Sequence, residues 1–401
     1  MGKRVKREEA KRIILEHARE LGTEVVTIEE ATGRVLAEDI ISQEDIPSCA
    51  TSAMDGYAVK VNPEAPQKEF RIIGRILAGD TPSFTLKENE ACYVATGAFL
   101  PQGANAVVRV EDAEVEGDIL KPRTPPRTGD YINPPASEIR CGERVLPRGE
   151  ELDYRKVGLL ARLGIYQVRV FSRPRVAIVA TGSEIREPFC TDKGAIRNVN
   201  SIILKSMLKR YAQVSYMGIV EDNPEGIAET LNMCLERYDA VVTTGGVSVG
   251  KADYIKKALS MIEVDVKFEY TNIKPGRPLC FGTKNGKLFF GLPGYPSAML
   301  VNALEFLVPA LRKMQGYSKP DNTYFKVIAG EDFKSRKGKV YFIRANFKHE
   351  NGRIIAYSAG SQLTSNYLTS AICQGFVIVE AEREIARKGE ILEALRVANP
   401  S

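Results

Sequence analysis

The stretch DAVVTTGGVSVGKADY, residues 239–254, opens as an apolar, β-branched strand and then breaks into three glycines within six residues, followed by a lone aspartate. A strand that runs out into bare backbone ahead of a helix marks the carboxyl edge of a parallel sheet, where open α/β folds place their ligands. Gly245, Gly246 and Gly250 have two readings. Their amides cradle a phosphate or another oxyanion at a helix N-terminus, or they form a tight strand-to-helix turn that needs positive φ. The spacing fits neither the P-loop nor G-x-G-x-x-G, which disfavours an ordinary nucleotide kinase or dehydrogenase.

The same texture extends on both sides. Upstream lie the strand RVAIVATG, a helix near SIILKSMLKRY, the strand QVSYMGIV and a helix near PEGIAETLNMCLERY; downstream lie the helix ADYIKKALSMI, the strands VDVKFEY and KLFFGLPG, and a long helix from about Pro296 to Met314. This alternation predicts a doubly wound, mostly parallel sheet with helices on both faces. Before it, residues 7–21 read as an amphipathic helix closed by Gly22, and residues 43–132 as short β runs punctuated by Pro and Gly. Helical character returns near 152–164, so the β-rich module is expected as an insertion. Beyond Gly316 the pattern is again strands and turns. The expected organisation is multidomain α/β: a helix-containing N-terminal domain (1–42 and 133–171), an inserted β-rich module (43–132), the α/β domain (172–315) and a C-terminal β domain (316–401).

A chain of 401 residues is too long for one ordinary core. No apolar run approaches the roughly 18 to 20 residues of a membrane span, and the charged N-terminus is unlike a signal peptide, so a cytoplasmic protein is expected. Seven scattered cysteines without a C-x-x-C pair fit reduced core thiols. The net charge of +5, from 56 basic and 51 acidic residues, shows no long basic run; it suggests anionic small molecules before nucleic acid. There are two histidines, His17 near the apolar stripe of a helix and His349 at a hairpin turn. Histidine-rich zinc sites and His-dependent triads are therefore disfavoured, and catalysis must rest on carboxylates, hydroxyls, cations and amides.

Each predicted strand delivers an acid or a Gly-Pro turn to one edge. RVAIVATG runs into Ser183 and Glu184, QVSYMGIV into Glu221 and Asp222, DAVVTT into the glycine loop with Asp253, and KLFFG into LPGYPS. Glu184 also reads as an exposed turn acid, and Asp222 as a residue that starts a helix before Pro224. With Asp253 they would supply the hard oxygen ligands that Mg²⁺ takes beside substrate phosphates. Lys274 and Arg277 flank a Pro-Gly turn, either holding both charges toward one anion or forming a solvated basic turn. Further upstream, Asp55-Gly56 in SCATSAMDGYAV and Thr96-Gly97 in ATGAFLPQG read as tight turns.

TSAMDGYAV, ATGAFLPQGANAVVRVED, RPRVAIVATGSEI, NVNS (198–201), TTGGVSVGKADY, KPGRPLCFG and GLPGYPSA resemble, in order and over nearly the whole chain, the motifs of the MoeA-type molybdopterin molybdenumtransferases, which are related to the gephyrin E domain. The resemblance implies an enzyme that inserts molybdate or tungstate into adenylylated molybdopterin and releases AMP with Mg²⁺. It carries catalytic roles to Asp55, Thr96, Glu184, Asp222 and Asp253, with Glu184 and Asp222 as metal ligands. It carries substrate binding to Gly245, Gly246, Ser248, Gly250, Lys274, Arg277, Pro293 and Pro296, and to Arg344 and Ser361 from the C-terminal domain. It further implies a homodimer. Alternatives are a molybdopterin adenylyltransferase, against which SAMDGY and the C-terminal domain weigh, and a gephyrin-like scaffold that binds a peptide. The chain departs from the family pattern at Ser183, where an Asp is common, at Glu138, at Tyr295 in place of Asn, and at Arg277 in place of Lys.

Overall fold

The computed structural model describes residues 3–65, 67–246 and 252–397, the side chains of 252 and 253 excepted. They fall into two compact units, one made of Glu38–Arg148 with Leu159–Ile165 and the other of the remaining described residues. Each is described by itself.

The larger unit is built on a six-stranded sheet in the order Gln213–Val220, Arg175–Thr181, Ala240–Thr244, Lys287–Leu292, Pro278–Lys284, Asp265–Tyr270. The first four strands are parallel, and the last two join antiparallel. Alternating side chains along each strand feed two separate cores, as the two-residue strand period requires. Ala177, Val179, Val241 and Phe289 meet Ile227, Leu231, Ile255 and Leu259 on one face. Val176, Ile178, Val242, Leu288 and Phe290 meet Leu204, Met299, Phe306 and, from the N-terminal helix, Ile14 on the other. A doubly wound, mostly parallel sheet is thus present, with an antiparallel hairpin added at one side. The hairpin that joins Pro278–Lys284 to the parallel strand Lys287–Leu292 turns on Asn285-Gly286, both at positive φ (50° and 79°), the conformation that makes Asn-Gly a strong hairpin signal.

The N-terminal helix spans Arg7–His17 and stops short of Gly22, because Ala18 already has an extended backbone (ψ 97°). His17 is a packed residue: its Nδ1 lies 2.8 Å from the Ile13 carbonyl and its ring meets Phe281 edge-on. The helical run from Pro296 is divided into Pro296–Asn302, a π-helical turn Ala303–Leu307, and Val308–Met314. Pro309 lacks the amide that would bond the Glu305 carbonyl, and the wide turn lies where that bond is lost. Beyond it, Phe325–Ala329, Val340–Glu350, Arg353–Ser358, Gly375–Val379 and Ile391–Arg396 close into a small barrel. Val340–Glu350 pairs with both Arg353–Ser358 and Gly375–Val379 to complete the ring.

The smaller unit holds a second six-stranded sheet, ordered Ala106–Arg109, Gly56–Val59, Glu90–Val94, Phe70–Ile76, Ile119–Pro122, Ala113–Glu116. Its two faces bury Ala58, Cys92, Val94 and Val107 on one side and Val59, Phe70, Ala91, Val108 and Leu120 on the other. Cys92, Cys234, Cys280 and Cys373 are buried, and all seven thiols are free.

Candidate functional site

The carboxyl ends of the four parallel strands open onto one cleft of about 740 Å³. Eight of the residues expected in a site line it: Glu184, Asp222, Gly245, Gly246, Lys274, Arg277, Pro293 and Pro296. Residues 247–251, Ser248 and Gly250 among them, lie outside the described residues, as does the side chain of Asp253 in the helix Ala252–Met261.

The glycines are required by the sheet itself. Gly245 (φ 96°) would place a Cβ 2.6 Å from the Thr181 carbonyl oxygen, and Gly246 (φ 69°) would place one 2.8 Å from Ile255. The tight-turn reading therefore accounts for both glycines, while both still line the cleft. The Gly245 amide donates to the Leu292 carbonyl at 3.1 Å.

Ser183 and Asp222 tie two adjacent strand ends together. The Ser183 amide donates to Asp222 Oδ2 at 3.3 Å, and the Asp222 amide donates to Ser183 Oγ at 3.2 Å. A hydroxyl can take this place beside a carboxylate without the repulsion that a second acid would bring. Asp222 is not the helix cap. Asn223 is, accepting from the Gly226 amide at 3.0 Å with Pro224 at the first helical position. The NVNS segment has an equally local purpose: Asn198 caps the helix Val199–Leu208, and the Asn200 side-chain amide donates to the Gly294 carbonyl at 2.9 Å. Tyr295, where the family pattern has Asn, is 60% exposed at the rim and gives the next helix no side-chain cap.

The basic turn is closed by the Thr271 amide donating to the Arg277 carbonyl at 2.8 Å. Its cations stand over aromatic rings, Lys274 Nζ 5.1 Å from the Tyr341 centroid and Arg277 Cζ 5.4 Å from that of Tyr270. Sequence reasoning missed Arg4, Arg197, Asn200, Lys339 and Thr364, which also line the cleft. They come from an N-terminal arm, helix flanks and loops, where the sequence shows only common surface residues. The lining cations among the described residues are Arg4, Arg197, Lys274, Arg277 and Lys339, against the acids Glu184 and Asp222.

Arg344 and Ser361, expected in the site from the C-terminal domain, do not line the cleft. Arg344, read from the sequence as a residue in contact with the anion, is 1% exposed. Its guanidinium is spent on Gln362 Oε1, Ser297 Oγ, Ser370 Oγ and the carbonyls of Asn366 and Leu363. It joins the Pro296–Asn302 helix to the 361–366 loop, which carries Thr364 into the cleft and runs into the short helix Tyr367–Ile372. All these acceptors are neutral, and burial pulls the guanidinium below its ordinary value. Ser361 lies on that loop, its Oγ accepting from the Leu363 amide at 3.4 Å.

Asp55 and Thr96 belong to the smaller unit and meet there. Antiparallel pairing sets Gly56 opposite Val94, so Asp55 Oδ1 accepts from the Thr96 amide at 2.7 Å and from Thr96 Oγ1 at 2.9 Å. Gly56 is obligatory, since a Cβ would fall 2.2 Å from the Val108 carbonyl oxygen. The Thr96 amide, and then its hydroxyl, holds the Asp55 carboxyl below the usual aspartate value. A depressed carboxyl contributes stability above its unfolded pKa and loses it as pH falls through the folded value. In an NMR titration Asp55 is expected to ionise below the ordinary aspartate midpoint, and Thr96→Val to move that midpoint part of the way back up. An unmoved midpoint would remove the hydroxyl from this account. Glu138 bonds Arg162 at 2.9 Å on an exposed surface.

Among the described residues no three His, Cys, Asp or Glu side chains cluster as a ready metal cage. Mg²⁺ does not need one, because it is commonly held by one or two carboxylates together with substrate phosphates and waters. Glu184 and Asp222, hard oxygen donors on one cleft, fit that pattern. No helix among the described residues is long and apolar enough to cross a membrane.

Comparison with known proteins gives the same assignment along the whole chain. Family models match residues 5–164 (MoeA N-terminal region, domains I and II), 177–313 ("Probable molybdopterin binding domain") and 326–397 (MoeA C-terminal region, domain IV). The molybdopterin molybdenumtransferase of a Nostoc species is 32% identical over 86% of this chain and 82% of its own. That of Haemophilus influenzae is 32% identical over 92% of both. The crystal structure of a MoeA protein from Pyrococcus horikoshii OT3 superposes with a TM-score of 0.83 at 30% identity, covering 98% of this chain and 100% of that one. A chain with this order of domains, and with its acids and cations on one cleft at the sheet's carboxyl edge, belongs to the MoeA family of molybdopterin molybdenumtransferases, enzymes of molybdenum cofactor biosynthesis.

Proposed function

We propose that the protein takes adenylylated molybdopterin and an oxyanion, molybdate or tungstate, and releases AMP as the metal is transferred to the dithiolene sulfurs. The observation that carries this reading is the gathering of Glu184 and Asp222 with Lys274 and Arg277 around one cleft. Acids opposite cations are what a phosphoanhydride and a dianion together require. Lys274 and Arg277 hold the oxyanion, and Gly245 and Gly246, bare of side chains on the cleft, let the pterin phosphate approach the strand ends. Glu184 and Asp222 hold Mg²⁺, which when bound supplies charge neutralisation at the phosphate that leaves. Arg344, buried among neutral oxygens, keeps a positive charge at the junction of Ser297 and the Thr364 loop and shapes the wall that receives the oxyanion. Asp55 and Thr96 serve the same reaction as a pre-oriented carboxylate. The reading carries with it a cytoplasmic homodimer and the four-part domain division given above.

The test is direct. Purified chain is incubated with adenylylated molybdopterin and Mg²⁺, with molybdate and tungstate in parallel, and AMP and metallated pterin are measured. Stoichiometric release of AMP that stops with chelator and resumes with Mg²⁺ is expected. Formation of the adenylylated compound from ATP and molybdopterin, without AMP release, would overturn the reading in favour of an adenylyltransferase.

A further inference from the structure

The Lys274–Arg277 turn supplies only part of the positive charge of the cleft. Arg4 and Lys339 line the same cleft, and both are delivered by backbone pairing. The segment around Arg4 runs along the edge strand Asp265–Tyr270. The Val5 amide donates to the Tyr270 carbonyl at 3.0 Å, the Glu269 amide donates to the Lys3 carbonyl at 3.0 Å, and Arg4 stands in register with Tyr270, the residue whose ring carries Arg277. On the other side of the turn, Ile273 pairs with Val340 and Lys274 with Tyr341, which sets Lys339 one residue before the first rung. The arm is held in place: Val5 is 4% exposed in the core and the Arg7 amide donates to Asn272 Oδ1 at 2.7 Å. Three separate chain segments thus bring four cations to the lining of one cleft.

Two cations suffice to balance a dianion at contact. Four in the lining of one cleft raise the local concentration of multiply charged anions and strengthen their capture. We propose that Arg4, carried by the N-terminal arm, and Lys339, carried by the loop before Val340, are further binding residues of the cleft for a multiply charged oxygen anion. That anion is the tetrahedral metal oxyanion or the phosphate of the adenylylated substrate. This inference rests on the reading of the cleft as the site of those anions.

The experiment measures binding of sodium molybdate and, separately, of AMP to the full-length chain by calorimetry at low and high salt. It compares wild type with Arg4→Gln, Lys339→Gln, Arg4→Lys and, as a reference, Lys274→Gln. Arg4→Gln and Lys339→Gln are each expected to weaken one anion roughly fivefold at low salt, with the difference largely gone at about 1 M salt. Arg4→Lys is expected to keep most of the affinity, which separates charge from packing of the arm. The anion that weakens identifies the group these cations serve. Wild-type affinity for both anions in Arg4→Gln and Lys339→Gln, while Lys274→Gln binds poorly, would overturn this inference alone. Failure of the wild-type chain to bind either anion would overturn the underlying reading as well.

Discussion

Glu184→Gln is expected to lower AMP release by at least about 100-fold while leaving the fold intact, because it removes a charge from the cleft without changing side-chain size. Glu184 follows Gly182, whose φ of 140° turns the chain out of the strand Arg175–Thr181 and leaves the Glu184 side chain close by: a Cβ on residue 182 would lie 3.1 Å from Glu184 Oε2. The turn thus fixes the acid at the sheet edge beside the Ser183–Asp222 clasp. Two measurements check the prediction. Steady-state AMP release gives the rate, and a Mg²⁺ titration of that rate gives the apparent metal affinity, which is expected to fall with it. A variant that released AMP at the wild-type rate with unchanged Mg²⁺ dependence would take the metal-holding role away from this residue. Asp222→Asn is a useful companion, since an amide oxygen can still accept from the Ser183 amide while the charge is lost.

The second large effect lies away from the cleft. Glu305, in the π-helical turn, is fully buried. It accepts from Arg7 Nε at 2.6 Å, bonds Tyr324 Oη at 2.9 Å and pairs with Lys11 Nζ at 2.9 Å. Glu305→Ala leaves two nearly buried cations facing each other without their common acid, and it is expected to cost about 3 to 5 kcal/mol in denaturant unfolding. Replacing Arg7, Lys11 and Glu305 together by apolar residues of similar volume is expected to recover most of that loss, because the penalty belongs to buried cations left with only the half-exposed Glu380 and Asp321 and the exposed Glu8 as partners. Burial opposes the charge on Lys11, but attraction to Glu305 and Tyr324 and the hydrogen bond to Tyr324 together outweigh it and raise the amine above its ordinary 10.5. A raised amine contributes fully below its unfolded pKa and is lost only as pH rises through the folded one. The network is therefore expected to keep its strength from neutral pH up to about 10, in a urea series across pH. A wild-type unfolding midpoint for Glu305→Ala would contradict the account.

The sheet edge was readable because the central parallel strands carry apolar runs, VAIVA at 176–180 and AVV at 240–242, that end in polar residues and glycine. Pro278–Lys284 received no strand assignment, because its neighbour Lys-Pro-Gly-Arg dominated the local signal, yet it pairs with strands on both sides. The Asn285-Gly286 turn that follows it could have revealed the hairpin. The N-terminal helix was drawn too long since Ala18 and Leu21 continue its apolar stripe, whereas the backbone turns at Ala18. Arg344 shows another limit. The family resemblance implies a substrate-binding role for it, and only coordinates reveal that five neutral acceptors hold its guanidinium. Arg4 had no local mark at all, for its position depends on pairing with a strand more than 250 residues away.

The ring of strands in the C-terminal domain has a consequence for assembly. Because Val340–Glu350 bonds to neighbours on both flanks, the five-stranded circle offers no open row of amides and carbonyls to an incoming β segment. Association through this domain must then be written in its outward side chains, such as Leu368 and Ile372 on the short helix Tyr367–Ile372, which are 68% and 61% exposed. Point substitutions there change that outward face while the main-chain ladder of the ring is left untouched.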